Sequence, residues 1–293
     1  MGYSLRDNRA TSVSRISNHR KWGTTLLFFG LAAALGGIIV LARADRERTE
    51  RQQSRKVPQE LLVAAAADLK FAMEEMIQKF QRDSPEIPVK VTYGSSGNFY
   101  SQLVNQAPFD IYFSADIGYP RKLSEQGLAL EGSDFVYAVG RIVIWAPIFS
   151  PIDVERLGSE ALRHSSVRHI AIANPKHAPY GKAAEAAMRS LGLYEAVREK
   201  LVYGENVAQA FQFIQTGAAE LGIIALSLAL APNARDQGRY WEIPQQAYPR
   251  LEQGGVILRW ARDPTAAQSF RSFVLGSAGR EILKRYGFTL PGE

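Results

Sequence analysis

The stretch Thr92-Tyr-Gly-Ser-Ser-Gly-Asn-Phe-Tyr-Ser-Gln-Leu103 reads as the end of a strand, a turn of small residues and the start of a helix. A helix start leaves backbone N–H groups without intrahelical partners and carries the positive end of the macrodipole, so it attracts anions. Gly94 and Gly97 let the backbone approach a ligand, while Ser95, Ser96 and Asn98 add short donors or caps. Such a turn can hold an oxyanion without formal positive charge. One junction of this form, taken alone, is more often a plainly capped helix. Here the form recurs. Val63-Ala-Ala-Ala-Ala-Asp-Leu69 shrinks to alanine as it meets a helix headed by Asp68. In the second half, His177-Ala-Pro-Tyr-Gly181 leads into an Ala-rich helix near Lys182–Leu191, and Gly204-Glu-Asn-Val-Ala208 leads into a helix over Gln209–Gln215. Four such starts, two in each half, point to a cleft lined by backbone N–H groups.

Outward from these junctions, apolar β runs fall near Leu61–Ala66, Val89–Tyr93, Ile111–Ser114, Val136–Trp145, Ile170–Ala173 and Leu221–Ala225. Their alternation with helices predicts an α/β architecture with largely parallel sheets. The first helix is well marked. Leu69, Ala72, Met73, Met76, Ile77 and Phe80 repeat at helical spacing, with Lys70, Glu74, Glu75 and Lys79 on the other side, so the methionines read as core rather than as metal ligands. Pro108-Phe-Asp-Ile-Tyr-Phe-Ser-Ala-Asp116 has a buried-strand pattern that ends in a polar turn. No internal repeat or low-complexity tract is present.

Charge decides against nucleic acid once it is located. The chain of 293 residues is formally +6, but residues 1–44 hold six Lys/Arg against one acid and residues 45–56 hold five against three, leaving 57–293 near −1. The basic character belongs to the leader. A positive segment, Arg15 to Lys21, precedes an apolar run over about Thr24–Leu41, and Ala42-Arg-Ala44 matches a small-x-small cleavage site. Residues 1–44 therefore read as a signal peptide or, uncleaved, as an N-terminal membrane anchor through residues 24–41, because the run approaches the length needed to span a bilayer. Either form places the body outside the cytoplasm. Residues 45–58 read as a solvated linker. With zero cysteines the body has no disulfide framework, lipid-bearing cysteine or thiolate metal site, and it must rely on its core.

Taken in order, Ala-Ala-Ala-Ala-Asp-Leu69, Gly-Ser-Ser-Gly97, Phe-Asp-Ile-Tyr-Phe-Ser-Ala-Asp116, Ala-Asn-Pro-Lys-His-Ala-Pro-Tyr-Gly181, Glu-Asn-Val207, Ala-Glu-Leu-Gly-Ile-Ile224 and Ile-Leu-Lys-Arg-Tyr-Gly-Phe288 resemble the molybdate-binding proteins of bacterial ABC importers over about residues 59–290. Each motif is weak alone, but the ordered set is specific. The resemblance implies a two-lobed, type II periplasmic-binding-protein fold, each lobe a mostly parallel sheet flanked by helices. It implies lobe one over 59–145 plus 246–293 and lobe two over 146–245, with hinges near Val143–Pro147 and Gln245–Val256. It also implies a monomeric, non-catalytic protein of the periplasm that holds molybdate or tungstate as an oxyanion, without cofactor or bare metal ion, and passes it to a membrane permease. Sulfate or phosphate is the alternative cargo. By the same resemblance the ligand positions fall on Asp68, Ser96, Tyr180 and the backbone N–H of Val207, with Ala225 where some members carry a tyrosine.

Two of these positions depart from the family pattern. Ala225 offers no side-chain donor, so Tyr180 is left to supply the phenol. Asp68 stands where a serine is usual, and a carboxylate about 4 Å from a dianion would cost on the order of 4 kcal/mol per unit of ligand charge at an effective dielectric of 20. Its side chain is therefore expected to turn back and cap the helix, leaving its own N–H or that of Leu69 for the ligand. If it faces the cleft instead, it must be protonated or accept a proton from a protonated oxyanion.

Enzyme readings find little support. His19 lies in the leader, and His164, His169 and His177 read as surface or capping residues. The chain lacks a Gly-x-Ser-x-Gly elbow and a phosphate-binding Gly-x4-Gly-Lys loop, and His164-x4-His169 lacks the intervening glutamate of a zinc protease helix. Asp110 and Asp116 read as structural. A sensor domain of the same fold is a third class, but nothing N-terminal is long enough to bind DNA.

Overall fold

Strands that shrink to small residues and helices with one apolar stripe bury their faces by stacking in layers. The computed structural model describes residues 59–293, so the expected leader and linker over 1–58 lie outside the described residues. In chain order the elements are β1 (Leu61–Ala66), α1 (Lys70–Asp83), β2 (Val89–Gly94), α2 (Ser96–Val104), β3 (Ile111–Ser114), α3 (Gly118–Glu125), β4 (Phe135–Gly140), β5 (Ile142–Pro147), α4 (Val154–Leu157), β6 (Ile170–Ala173), α5 (Pro179–Ser190), α6 (Tyr194–Val197), β7 (Leu201–Gly204), α7 (Val207–Gln215), β8 (Leu221–Ala225), α8 (Leu226–Ala229), β9 (Gly238–Glu242), β10 (Leu251–Ile257), α9 (Pro264–Leu275) and α10 (Ser277–Arg285). Among the described residues no helix is long and apolar enough to cross a membrane.

These strands form two five-stranded sheets, ordered β2-β1-β3-β10-β4 and β7-β6-β8-β5-β9. Within each, three strands linked by helical crossovers run parallel, and the strand that has just crossed from the other sheet, β10 or β5, is antiparallel to both its neighbours. Strands β3 and β8 are buried along their whole length, while the edge strands β2 and β9 are half-buried. Burial on both faces explains why the inner strands read as unbroken apolar runs. Met73 and Met76 of α1 are buried in the core, and Phe113 packs edge-to-face on Phe135, Tyr137 and Phe270.

The sheets exchange strands at Arg141 and between Glu242 and Leu251. The first crossing falls earlier than the expected hinge near Val143–Pro147, which lies within β5. Val136–Trp145 reads as one β run, yet Gly140-Arg141 divides it between the two sheets. Arg141 is held at the crossing by bonds from Nε to the Gly287 carbonyl and from Nη1 to Glu242, both 2.9 Å.

Candidate functional site

The helix starts predicted to carry the site converge where the two sheets face one another. A small cavity, about 10 Å³, is walled by Asp68, Ser95, Ser96, Tyr180, Asn206 and Val207 and otherwise by alanine, glycine and proline, with no lysine, arginine or histidine. All four sequence-derived ligand candidates, Asp68, Ser96, Tyr180 and Val207, lie on it. Ala225 does not; it closes β8 against Ile142 and is fully buried.

Local sequence explains each wall. Ser95 is the N-cap of α2, its Oγ accepting the Asn98 N–H at 3.3 Å. Ser96 Oγ accepts the Ala115 N–H at 2.9 Å, which leaves the hydroxyl proton free to donate. Asn206 caps α7 by accepting the N–H groups of Ala208 and Gln209, so α7 begins two residues earlier than the sequence reading placed it. Among the described residues no protein group accepts the N–H of Ser96 or of Val207. Pro179 occupies the first position of α5, where its missing N–H costs nothing, and places Tyr180 in the first turn.

Asp68 behaves differently from the cap expected of it. It makes no capping bond to the turn Ala67–Leu69, and its carboxylate is 1% exposed between the sheets. Its Oδ2 accepts from the Tyr180 hydroxyl at 2.9 Å and from Gln253 Nε2 at 2.7 Å, while Gln253 Nε2 also donates to the Tyr180 oxygen at 2.9 Å. Tyr137 donates to Gln253 Oε1 at 2.8 Å, which orients the amide, and Ser227 Oγ donates to the Asp68 carbonyl at 2.7 Å. The phenol of a facing helix and an amide in the sheet both donate to the carboxylate, so the side chain points across the cleft instead of capping its own turn. The other oxygen, Oδ1, is buried with no hydrogen-bond partner. Burial pushes the carboxyl up to about 6, opposed by the bonds from Gln253 and Tyr180 and by the nearby N–H groups of Asp68 and Leu69.

Gln253, Tyr137 and Ser227 were missed by sequence reasoning. Gln253 stands in the mixed strand Leu251-Glu-Gln-Gly-Gly-Val-Ile257, whose pattern marks no position as a core polar group; its full burial, at a bulge in the pairing with β4, is decided by packing. His177 is more than a surface residue. Its Nδ1 lies 2.9 Å from Ser95 Oγ and its carbonyl accepts the Gly97 N–H at 2.9 Å, joining the two lobes at the cavity rim, as does Asn98 on Glu205 at 3.1 Å. A serine beside a histidine invites a catalytic reading, but Ser95 is committed as a cap and no carboxylate among the described residues bonds the imidazole. Asp110 is structural, bound to Arg262, and no described group of His, Asp and Glu is disposed to hold a metal ion.

The molybdate-binding protein ModA of Azotobacter vinelandii is 39% identical over 231 residues, covering 79% of this chain and 90% of that protein. ModA of Rhodobacter capsulatus is 36% identical over 229 residues, covering 78% and 88%. Among solved structures, the Azotobacter vinelandii periplasmic molybdate-binding protein superposes with a TM-score of 0.73 at 35% identity, covering 79% of this chain and 99% of that one. A family model described as bacterial extracellular solute-binding protein matches residues 61–289, and with that span and these identities the chain belongs to the bacterial extracellular solute-binding proteins.

Proposed function

We propose that the protein captures molybdate or tungstate in the periplasm, as a monomer exported by its leader, and delivers the oxyanion to the permease of an ABC importer. The observation that carries this reading is the cavity itself, a small space walled by unpaired helix-start N–H groups and a serine hydroxyl, without a cationic side chain. Neutral dipoles held in a dry cleft bind an anion strongly and discriminate by size and protonation. The ligand set proposed is the hydroxyl and N–H of Ser96, the N–H of Val207, and Asp68 with Tyr180 at the lobe junction. The proposed lobes follow the strand exchange at Arg141 and after Glu242, and their closure would present a ligand-dependent surface to the permease.

The test is a thermal-shift series with molybdate, tungstate, sulfate and phosphate. A ligand at a hundredfold excess over its Kd adds about 2.7 kcal/mol to the folded state, several degrees for a chain of this size. Stabilisation by molybdate and tungstate is the expected result. Stabilisation by sulfate or phosphate alone would move the cargo while keeping the mode of binding.

A further inference from the structure

We propose that the cavity takes its oxyanion together with one proton, held between the Asp68 carboxyl and an oxygen of the ligand. The inference rests on the oxyanion reading above and names a feature of that same site. The proton comes from solvent, and the only bond it forms is to Asp68 or to the ligand, so a fully ionised anion meets a protonated carboxyl or a protonated anion meets a carboxylate.

Three observations converge on this. Asp68 Oδ1 is buried and unpaired on a residue that walls the cavity, although its sister oxygen takes two hydrogen bonds. The Tyr180 proton is already given to Oδ2, so that phenol cannot shield the ligand from the carboxylate. No lysine, arginine or histidine stands on the wall to neutralise the pair. Two negative groups this close in a dry site repel unless a proton lies between them, as in paired carboxylates. The titratable groups facing Asp68 are the phenol of Tyr180 from α5 and that of Tyr137 from β4, both raised by burial and therefore neutral. Gln253 on β10 and Ser227 on α8 carry no charge. His177 lies one bond further out, on Ser95, and Lys70 lines an adjoining depression, beside Phe71 and Tyr93, that shares Ala67 and Asn206 with the cavity but does not put Lys70 on the cavity wall.

The sign of the pH effect follows. Asp68 loses its proton near pH 6 in the free protein, so below that value the proton is already present and binding takes up none. Above it, a bound anion holds the proton, and affinity falls about tenfold for each pH unit until the carboxyl of the complex also ionises.

Calorimetry on the full chain at about pH 8, in buffers of different ionisation heat, counts the protons taken up with molybdate and with sulfate. The expected result is close to one proton per bound anion and an affinity that falls with rising pH, with Asp68→Asn and Asp68→Ser losing the uptake and the pH slope at whatever affinity they keep; the wild-type proton count decides even where a variant does not bind. Binding by the wild type without proton uptake overturns the inference, whichever anion binds, and so does uptake that survives in Asp68→Asn, which would place the proton on a group other than Asp68. Binding of sulfate alone, with uptake, would sink the molybdate reading while keeping this one; binding of neither anion would end both.

Discussion

Ser96 shows how much one residue at a helix start does. Its Oγ accepts the Ala115 N–H, its carbonyl accepts the Tyr112 hydroxyl at 2.8 Å, and its own hydroxyl proton and N–H remain for a ligand. Ser96→Ala removes one donor to a charged group and should weaken oxyanion binding by about 1–3 kcal/mol, read by calorimetry. Unchanged affinity would take Ser96 out of the site. Asp68 is the counterexample in legibility. Its identity announced an electrostatic conflict with an anion, but its direction depended on Tyr180 and Gln253, which lie 112 and 185 residues away in sequence.

At the scale of elements, the approach to β3 is tied to the segment that follows β10. Asp110 is 2% exposed and accepts from the Leu62 N–H at 2.7 Å, from the Arg262 N–H at 2.8 Å and from Arg262 Nη2 at 2.7 Å, while Arg262 Nη2 also donates to the Glu60 carbonyl at 2.6 Å. Burial alone would raise the Asp110 carboxyl, but the hydrogen bonds from Arg262 and from the backbone outweigh it and hold the group below the usual carboxylate range. A depressed carboxyl contributes stability that is full above its unfolded-state value and is lost as pH falls through the folded one. Urea denaturation across the acid range should therefore show wild-type stability declining as Asp110 protonates. Arg262→Met should lose about 1–3 kcal/mol at neutral pH and show a shallower acid decline. A variant with wild-type stability and slope would mean that the pair is ornamental.

Across the whole molecule, the two lobes meet where backbone approaches backbone. A Cβ on Gly97 would lie 2.5 Å from the His177 carbonyl oxygen, and one on Gly140 would overlap the Tyr180 hydroxyl. Gly97→Val should therefore hold the lobes apart. Overpacking of this kind costs about 1–3 kcal/mol, so oxyanion affinity should fall about tenfold to a hundredfold. Stability without ligand should be little changed, because α2 itself remains capped by Ser95. Small-angle scattering with and without molybdate checks the cause: the wild type should contract on binding and the variant should not. Wild-type affinity in Gly97→Val would show that this contact is not part of the bound form.

The α/β alternation, the amphipathic α1, the anion-seeking helix starts and the Ser95 cap were legible in the sequence, because each is set by periodicity or by residues within a turn of one another. The edge strand β9, the division of Val136–Trp145 between two sheets and the burial of Gln253 were not, since they depend on which strand a neighbour pairs with. The four candidate ligand positions lie on one cavity because the parallel strands bring their helix starts to the same side of each sheet, an order that the junction motifs already implied. What only the tertiary structure decided was the environment of Asp68. A carboxylate is charged or neutral, cap or cleft wall, according to the groups that surround it, and those come from both lobes.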